Sequence, residues 1–328
     1  MATCPICNYK SEASGISCPR CRGPFAFVNG FAGEASYRAW LKGIDTLRRQ
    51  RTEEVAKGFL KHRITLDSAY ACIRAEGEQS VILCRENGSV ERLDGVIGYS
   101  ANVRHEVLLD KDGKVRIKGE CRYEVNDLKG IRCVYAGAGA TYAVDGEGKM
   151  IVRGVSPIQK QVCSWRKVKK LAGNRGRLAA LTEDGNVLIA DDTKSEMLDM
   201  GIRTAVELAT TYNFTLWLNA DGSVGYSGRE TDARCAVKSW KNVKAVAVEN
   251  NYAVGLTEDG RVLLAGKAGA GFDMERSLAA SWTDVIYVAC SNSGILGVFA
   301  DGSVKIVGNV ENKDVIAASV AKEIARLL

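Results

Sequence analysis

Histidine is nearly absent from this chain: 328 residues hold two, His62 and His105. Chemistry that runs on an imidazole base, or on several imidazole metal ligands, has little to work with. Long apolar runs are also missing. No stretch of about 18 apolar residues occurs, so no membrane-spanning helix is expected. The opening, "MATCPICNYK", has neither the basic nor the apolar region of a secretory signal, which points to the cytoplasm. There is no phosphate-binding loop, because "GEGKM" (Gly146–Met150) lacks the upstream glycine and the Ser or Thr after its lysine. "AGAGAT" (Ala136–Thr141) imitates a glycine-rich dinucleotide fingerprint, yet it falls between two strand-like runs rather than before a helix. No small-molecule substrate is evident, and the chain is expected not to be an enzyme. What is present, 46% hydrophobic and 26% charged residues, is the composition of a globular protein able to bury a core.

Eleven cysteines are spread unevenly. Four of them form "CPICNYKSEASGISCPRC", a C-x2-C pair, ten residues, and a second C-x2-C pair. Each pair presents two thiolates from one tight turn, and four thiolates close a tetrahedron around Zn²⁺. One structural Zn²⁺ on Cys4, Cys7, Cys18 and Cys21 is therefore expected, with no open position for a catalytic water. The segment resembles a zinc ribbon and is assigned to residues 1–30. The other seven cysteines lie in apolar surroundings and read as small core residues in a reducing compartment.

Residues 31–63 read as a helical linker. Tyr37, Trp40, Leu41, Ile44 and Leu47 fall on one stripe at helical spacing, and Gly43 and Gly58 weaken it. Charge is unevenly placed too. Residues 1–66 hold 11 Lys and Arg against 5 Asp and Glu, which leaves 34 of each for the remainder. The whole basic excess of +6 thus sits in the N-terminal fifth. A ribbon followed by a basic helix could grip nucleic acid, so a nucleic-acid or ribosome-associated adaptor acting through residues 1–66 is the second functional reading.

The strongest signal is a repeat. "LTEDG" occurs at Leu181–Gly185 and again at Leu256–Gly260. Seven segments align without gaps on its glycine, at Gly88, Gly113, Gly148, Gly185, Gly222, Gly260 and Gly302. Each has an apolar residue 17 positions earlier, an Asn, Asp or Glu just before the glycine, and Val or Met two positions after it. A run such as "VKAVAV" suits a strand buried on both faces; a small loop, a second strand, the Thr-Glu-Asp-Gly turn and a third strand follow. One such meander cannot bury both faces alone and must stack on neighbours. The glycines are spaced 25, 35, 37, 37, 38 and 42 residues apart. Units of about 40 residues with three or four strands read as a β-propeller, here an all-β fold of seven blades over residues 64–310. The first interval is short, so the first blade should be thin or completed by chain from elsewhere. Ring closure is expected from residues 64–70 pairing with the last blade, and residues 311–328 are expected to form a helix. Trp165, Trp240 and Trp282 each stand three residues before a first strand. Repetition at one offset reads as packing between blades, against the alternative of a binding platform.

The unit W-x-x-V-x-x-V/L-A…L-T-E-D-G-x-V-x-x-x-G resembles the repeat of the regulator of chromosome condensation family. It departs at the shortened first unit and at the loop histidine before the second strand, which only His105 supplies. The resemblance implies a seven-bladed propeller that binds proteins, with activities in the family ranging from nucleotide exchange on a small GTPase to inhibition of other proteins. A non-enzymatic interaction scaffold with a protein partner is the first reading, and an exchange-factor-like regulator is a further alternative. The loops between first and second strands share one rim and differ between units. They carry the candidate partner-binding residues Arg104, Arg175, Arg177, Tyr212, Phe214, Asn251 and Tyr252.

Overall fold

The structure is a computed structural model. It describes Ala2–Thr3, Lys10–Ser11, positions 43, 46 and 50, the strands His62–Asp67, Tyr70–Ala75 and Ser80–Arg85, and residues 90–327 apart from 103, 175, 268–274, 276 and 292–293. Cys4, Cys7, Cys18 and Cys21, the apolar stripe of residues 37–47 and Arg175 lie outside the described residues. Ala2–Thr3 pairs antiparallel with Lys10–Ser11, a short hairpin that spans the first cysteine pair in sequence. No described helix is long and apolar enough to cross a membrane.

Seven antiparallel sheets follow one another along the described chain. The first holds His62–Asp67, Tyr70–Ala75, Ser80–Arg85 and Val90–Asp94. The second to seventh begin at Val96, Ile131, Val168, Ala205, Val243 and Val285. Those are the positions at which the aligned units begin. Each is a three-stranded meander, and the fourth adds a short outer strand, Leu198–Asp199. The middle strand of a meander is screened on both sides: every residue of Arg177–Thr182, Tyr252–Thr257 and Gly294–Phe299 is buried. Consecutive first strands pack on one another from Val96–Ala101 to Val285–Cys290, and Val285–Cys290 in turn lies against His62–Asp67. Repeated meanders joined through their first strands make the architecture a β-propeller.

One bend recurs. In six sheets the register slips between the first and third residues of the first strand, as at Val168/Lys170 and Val243/Ala245. A bulge at that point increases the local twist and swings each unit away from the last.

The turn phrase also serves two purposes. Gly185 and Gly260 both sit at φ +79°, where a side chain is strained. Thr182 Oγ1 donates to Asp184 Oδ1 at 2.5 Å and Thr257 Oγ1 to Asp259 Oδ1 at 2.5 Å, which locks the two copies alike. The glycine carbonyl then accepts from the first residue of the next sheet: Val168 N to Gly148 O at 2.9 Å, Ala205 N to Gly185 O at 3.0 Å, Val285 N to Gly260 O at 3.0 Å. The phrase is therefore both a hairpin turn and an inter-sheet link.

The core lies between sheets. Trp165 packs with Val144, Met150, Val168 and Leu178, between the third and fourth sheets. Trp240 packs with Leu216, Val237 and Val243, and Trp282 with Val254, Val285 and Val288. All three indoles are buried. They fill inter-sheet gaps, and the platform reading is excluded.

Closure departs from expectation. His62–Asp67 hydrogen-bonds to Tyr70–Ala75, not to the seventh sheet, and so supplies the first sheet with its fourth strand. The free edge of the seventh sheet is covered by a helix, Lys313–Leu327, which packs on Val304–Gly308 and reaches Ser80–Arg85 of the first sheet. Ile316 and Val320 are its buried face, against Leu296, Val298 and Ile306. An edge strand without a partner is a template for aggregation, and an amphipathic helix blunts it.

Candidate interaction face

The rim opposite the Thr-Glu-Asp-Gly turns is built from the loops that join first to second strands. Three of the aromatic and basic residues expected to face a partner there are buried instead: Phe214 at 0%, Tyr252 at 2% and Arg177 at 6% relative exposure. The reason is positional. Each is the residue eight positions before its turn glycine, at the start of the second strand or, for Phe214, immediately before it, and His105 occupies the same position in its own unit. A side chain at that point enters the gap between adjacent sheets.

There it acts as a pin. Tyr252 Oη donates to Ser291 O at 2.5 Å and lies 2.9 Å from Gly294 O, both next to the seventh sheet. Arg177 donates from Nε to Thr215 Oγ1 at 3.0 Å and from Nη1 to Asp191 Oδ2 at 2.7 Å, tying the fourth sheet to the fifth. Burial works against the Asp191 carboxylate. Hydrogen bonds from Thr193 and the Arg177 charge outweigh it and hold Asp191 below the usual carboxylate range.

His105 bridges the second and third sheets in a defined protonation state. Asn102 Oδ1 accepts the backbone N–H of Arg104 at 2.7 Å and of His105 at 3.1 Å, and Asn102 Nδ2 donates to Gly137 O at 2.6 Å. The amide orientation is thereby fixed, so His105 Nδ1, 3.2 Å from Asn102 Nδ2, must be an acceptor. Nε2 then carries the proton and faces Tyr123 Oη at 3.2 Å and Thr141 Oγ1 at 3.4 Å. Burial lowers the imidazole pKa and keeps it neutral. Burial likewise pushes Tyr123 up to about 12. His105 is thus a structural cross-link between the second and third sheets.

A buried arginine that sequence reasoning missed organises the rim over the fifth and sixth sheets. Arg234, 1% exposed, is gripped by Asp232 through Nε at 2.9 Å and Nη2 at 2.5 Å. It donates to Asn213 Oδ1 at 2.8 Å, Thr211 Oγ1 at 3.3 Å and Glu249 O at 3.0 Å, and its guanidinium lies 4.5 Å from the centre of the Phe214 ring. One side chain therefore fixes the loops of two neighbouring units. It lies in the linker before Trp240, where the repeat carries no signal; only an arginine isolated among small and apolar residues hinted at it.

What remains exposed on this rim is a reduced set. Tyr212 stands out at 46% exposure between the buried Thr211 and Phe214. Arg104 and Asn251 are also exposed. Among the described residues, no group of three or more His, Cys, Asp or Glu side chains could hold a metal ion.

No family model matches the chain, and no curated protein matches it. Solved structures do. Human WBSCR16 superposes with a TM-score of 0.50 at 13% identity, covering 68% of this chain and 80% of that one. Prp20p of Saccharomyces cerevisiae, whose structure was described together with its binding to Gsp1p and histones, gives a TM-score of 0.49 at 13% identity over 80% of this chain and 85% of that one. The ectodomain of the Physcomitrella patens receptor kinase CR4 gives 0.48 at 13% identity over 66% of this chain, which spans 64% of that ectodomain. At such identities the likeness is one of fold alone.

Proposed function

We propose that this protein is a protein-interaction scaffold: a closed ring of seven blades over residues 64–310 that presents the first-to-second-strand loops to a protein partner. The observation that carries the reading is Tyr212, a large aromatic held exposed at the tip of a loop whose flanks are buried and whose neighbour Asn213 is fixed by Arg234. An exposed aromatic on a rigid loop binds at low entropic cost, which is how interface hot spots are built. Arg104 and Asn251 extend the same rim. The test is affinity capture of partners with the full chain, followed by Tyr212→Ala. Loss of more than about 2 kcal/mol of binding with an unchanged melting temperature supports the rim. Unchanged affinity removes it.

The N-terminal module enters this reading as a separate unit. Cys4, Cys7, Cys18 and Cys21 would hold one Zn²⁺, and the hairpin of Ala2–Thr3 with Lys10–Ser11 is compatible with the first knuckle. Bound zinc would supply the folding energy that so short a segment lacks. Elemental analysis of protein purified without chelator is expected to give one zinc per chain, and its absence refutes the ribbon. The charge of residues 1–66 keeps nucleic acid as a second ligand class, checked by salt-dependent binding with and without that segment.

A further inference from the structure

The opposite rim, formed by the Thr-Glu-Asp-Gly turns, carries charge in a pattern that the repeat does not require. At the junctions made by Gly113, Gly148, Gly222 and Gly260, the turn glycine of one unit abuts the residue preceding the first strand of the next. A Cβ placed on Gly113 would lie 3.0 Å from Gly130 Cα, on Gly148 2.8 Å from Lys167 Cα, and on Gly260 3.3 Å from Asp284 Cα. Side chains flanking these points are therefore neighbours.

Three later junctions are balanced. Arg203 pairs with Asp184 at 3.3 Å, Arg261 pairs with Asp259 at 2.8 Å, and Lys241 lies close enough to Asp221 to help hold its carboxyl down, after the Ser223 hydrogen bonds that dominate. The two junctions from the second to the fourth sheet are not balanced. They expose Lys114, Lys129, Lys149, Arg166, Lys167 and Lys169, and none of these makes an ion pair among the described residues. The nearby acids offset only part of this charge. Glu183 pairs with Arg132 at 2.9 Å. Asp110 Oδ1 accepts the N–H groups of Asp112 and Lys114, and Asp145 Oδ1 those of Glu147 and Lys149. Asp110, Asp112, Asp145 and Glu147 keep their charge, and Asp184, paired with Arg203, also feels Lys167, so six cations face four acids that make no ion pair among the described residues.

A second observation is independent of charge counting. The residue before a first strand sits in the left-handed region in five sheets: Gly95 at φ +72°, Gly130 at +64°, Lys167 at +54°, Asn242 at +55° and Asp284 at +60°. Glycine is free there and Asn or Asp tolerates it, whereas a long side chain is strained. Lysine is the outlier, and it falls within the unbalanced patch. Strain retained at one position of a repeat, where other units show the relaxed choice, marks a side chain kept for what it contacts.

We infer that the turn rim from the second to the fourth sheet is a second docking surface, and that it takes an acidic protein segment. Interspersed Asp112 and Glu147 break the run of positive charge, and Tyr and Trp side chains that could stack bases are absent from the described residues of these turns. Both features disfavour a continuous phosphate backbone and suit carboxylates spaced along a peptide. The inference is independent of the loop-rim reading, since it concerns the other face.

The test uses the full chain and two fluorescent probes at low salt, a poly-L-glutamate peptide of about 20 residues and a DNA duplex of about 20 base pairs. Lys167→Asn installs the residue that the sixth sheet already carries at this position, and it is combined with Lys169→Asn. The expected result is a melting temperature that holds or rises, with polyglutamate affinity down by about fivefold. The control pair Lys241→Asn and Arg261→Gln, at balanced junctions, should leave affinity unchanged. Residues 1–66 are identical in all variants, so binding through them cannot produce the difference. Equal affinity in the first pair, an equal loss in the control pair, or a larger loss of duplex than of polyglutamate affinity in the first pair would each overturn the inference.

Discussion

Replacing Arg177 by alanine is the sharpest test of the cross-sheet pins, because the same residue was an obvious candidate for partner contact. Its side chain is 7% exposed and that of Asp191 is 12% exposed, 2.7 Å away. Removing one member of a buried pair leaves the other charge uncompensated, at a cost of about 3–5 kcal/mol. Asp191 keeps the Thr193 N–H at 2.9 Å and the Thr193 hydroxyl at 2.6 Å, which places the loss near the lower end, about 3 kcal/mol. Thr215 Oγ1 also loses its donor. For a propeller of about 250 residues, that corresponds to a fall in melting temperature of roughly 6 °C. Denaturant titration followed by circular dichroism measures it, with Asp191→Leu and Arg177→Met combined as the complementary variant. Removing both charges with volume kept should restore most of the loss. A single Arg177→Ala change costing less than about 1 kcal/mol would mean that Arg177 is solvated, and the pin account would fail with it.

Acid should weaken the fold through His105. Its folded pKa lies below the usual 6.5, so the stability tied to the neutral ring is complete above that value and is lost as pH falls through it toward the folded pKa. Protonation would set an Nδ1–H against the Asn102 amide, and His105→Gln should show a shallower decline as pH falls below about 6.5 in urea titrations; parallel curves refute the assignment. Two glycines with positive φ should separate conformational strain from crowding. Gly130→Ala has nothing within 4 Å of the new methyl and should cost about 1 kcal/mol, whereas Gly148→Ala drives it toward Lys167 Cα at 2.8 Å and Val168 N at 2.9 Å and should cost more than about 2 kcal/mol. Equal losses in thermal melts would refute the close inter-sheet approach.

The repeat was legible because turn, strand and core positions recur with the same residue types. Leu181 and Leu256 are buried, and the turn glycines from Gly113 to Gly302 all have positive φ, as the alignment required. The pins were not legible from residue type. His105, Arg177, Phe214 and Tyr252 share one offset and one location but no chemistry, so by residue type Arg177, Phe214 and Tyr252 read as three unrelated surface candidates. Reading that offset down the alignment would have shown it adjoining the buried second strand. Tyr212 came out exposed because it is two residues further from the strand. The extra strand His62–Asp67 left no trace in the repeat because it precedes the first aligned unit, and Leu198–Asp199 is too short to register as a period.

The helix Lys313–Leu327 has a consequence for the order in which the molecule is made. It joins the seventh sheet to Ser80–Arg85, and 228 residues separate Arg85 from Lys313. At roughly 5–20 residues per second, a ribosome takes about 11–46 s to cover that distance. Each inter-sheet core from the second sheet onward can form as soon as the next unit emerges, since its partners are neighbours in sequence. The first sheet alone must wait, one face uncovered, until the far end of the chain arrives. Growth of this protein is thus sequential along its length and ends in a single long-range event, and that waiting interval is when a nascent chain would most need protection by a chaperone.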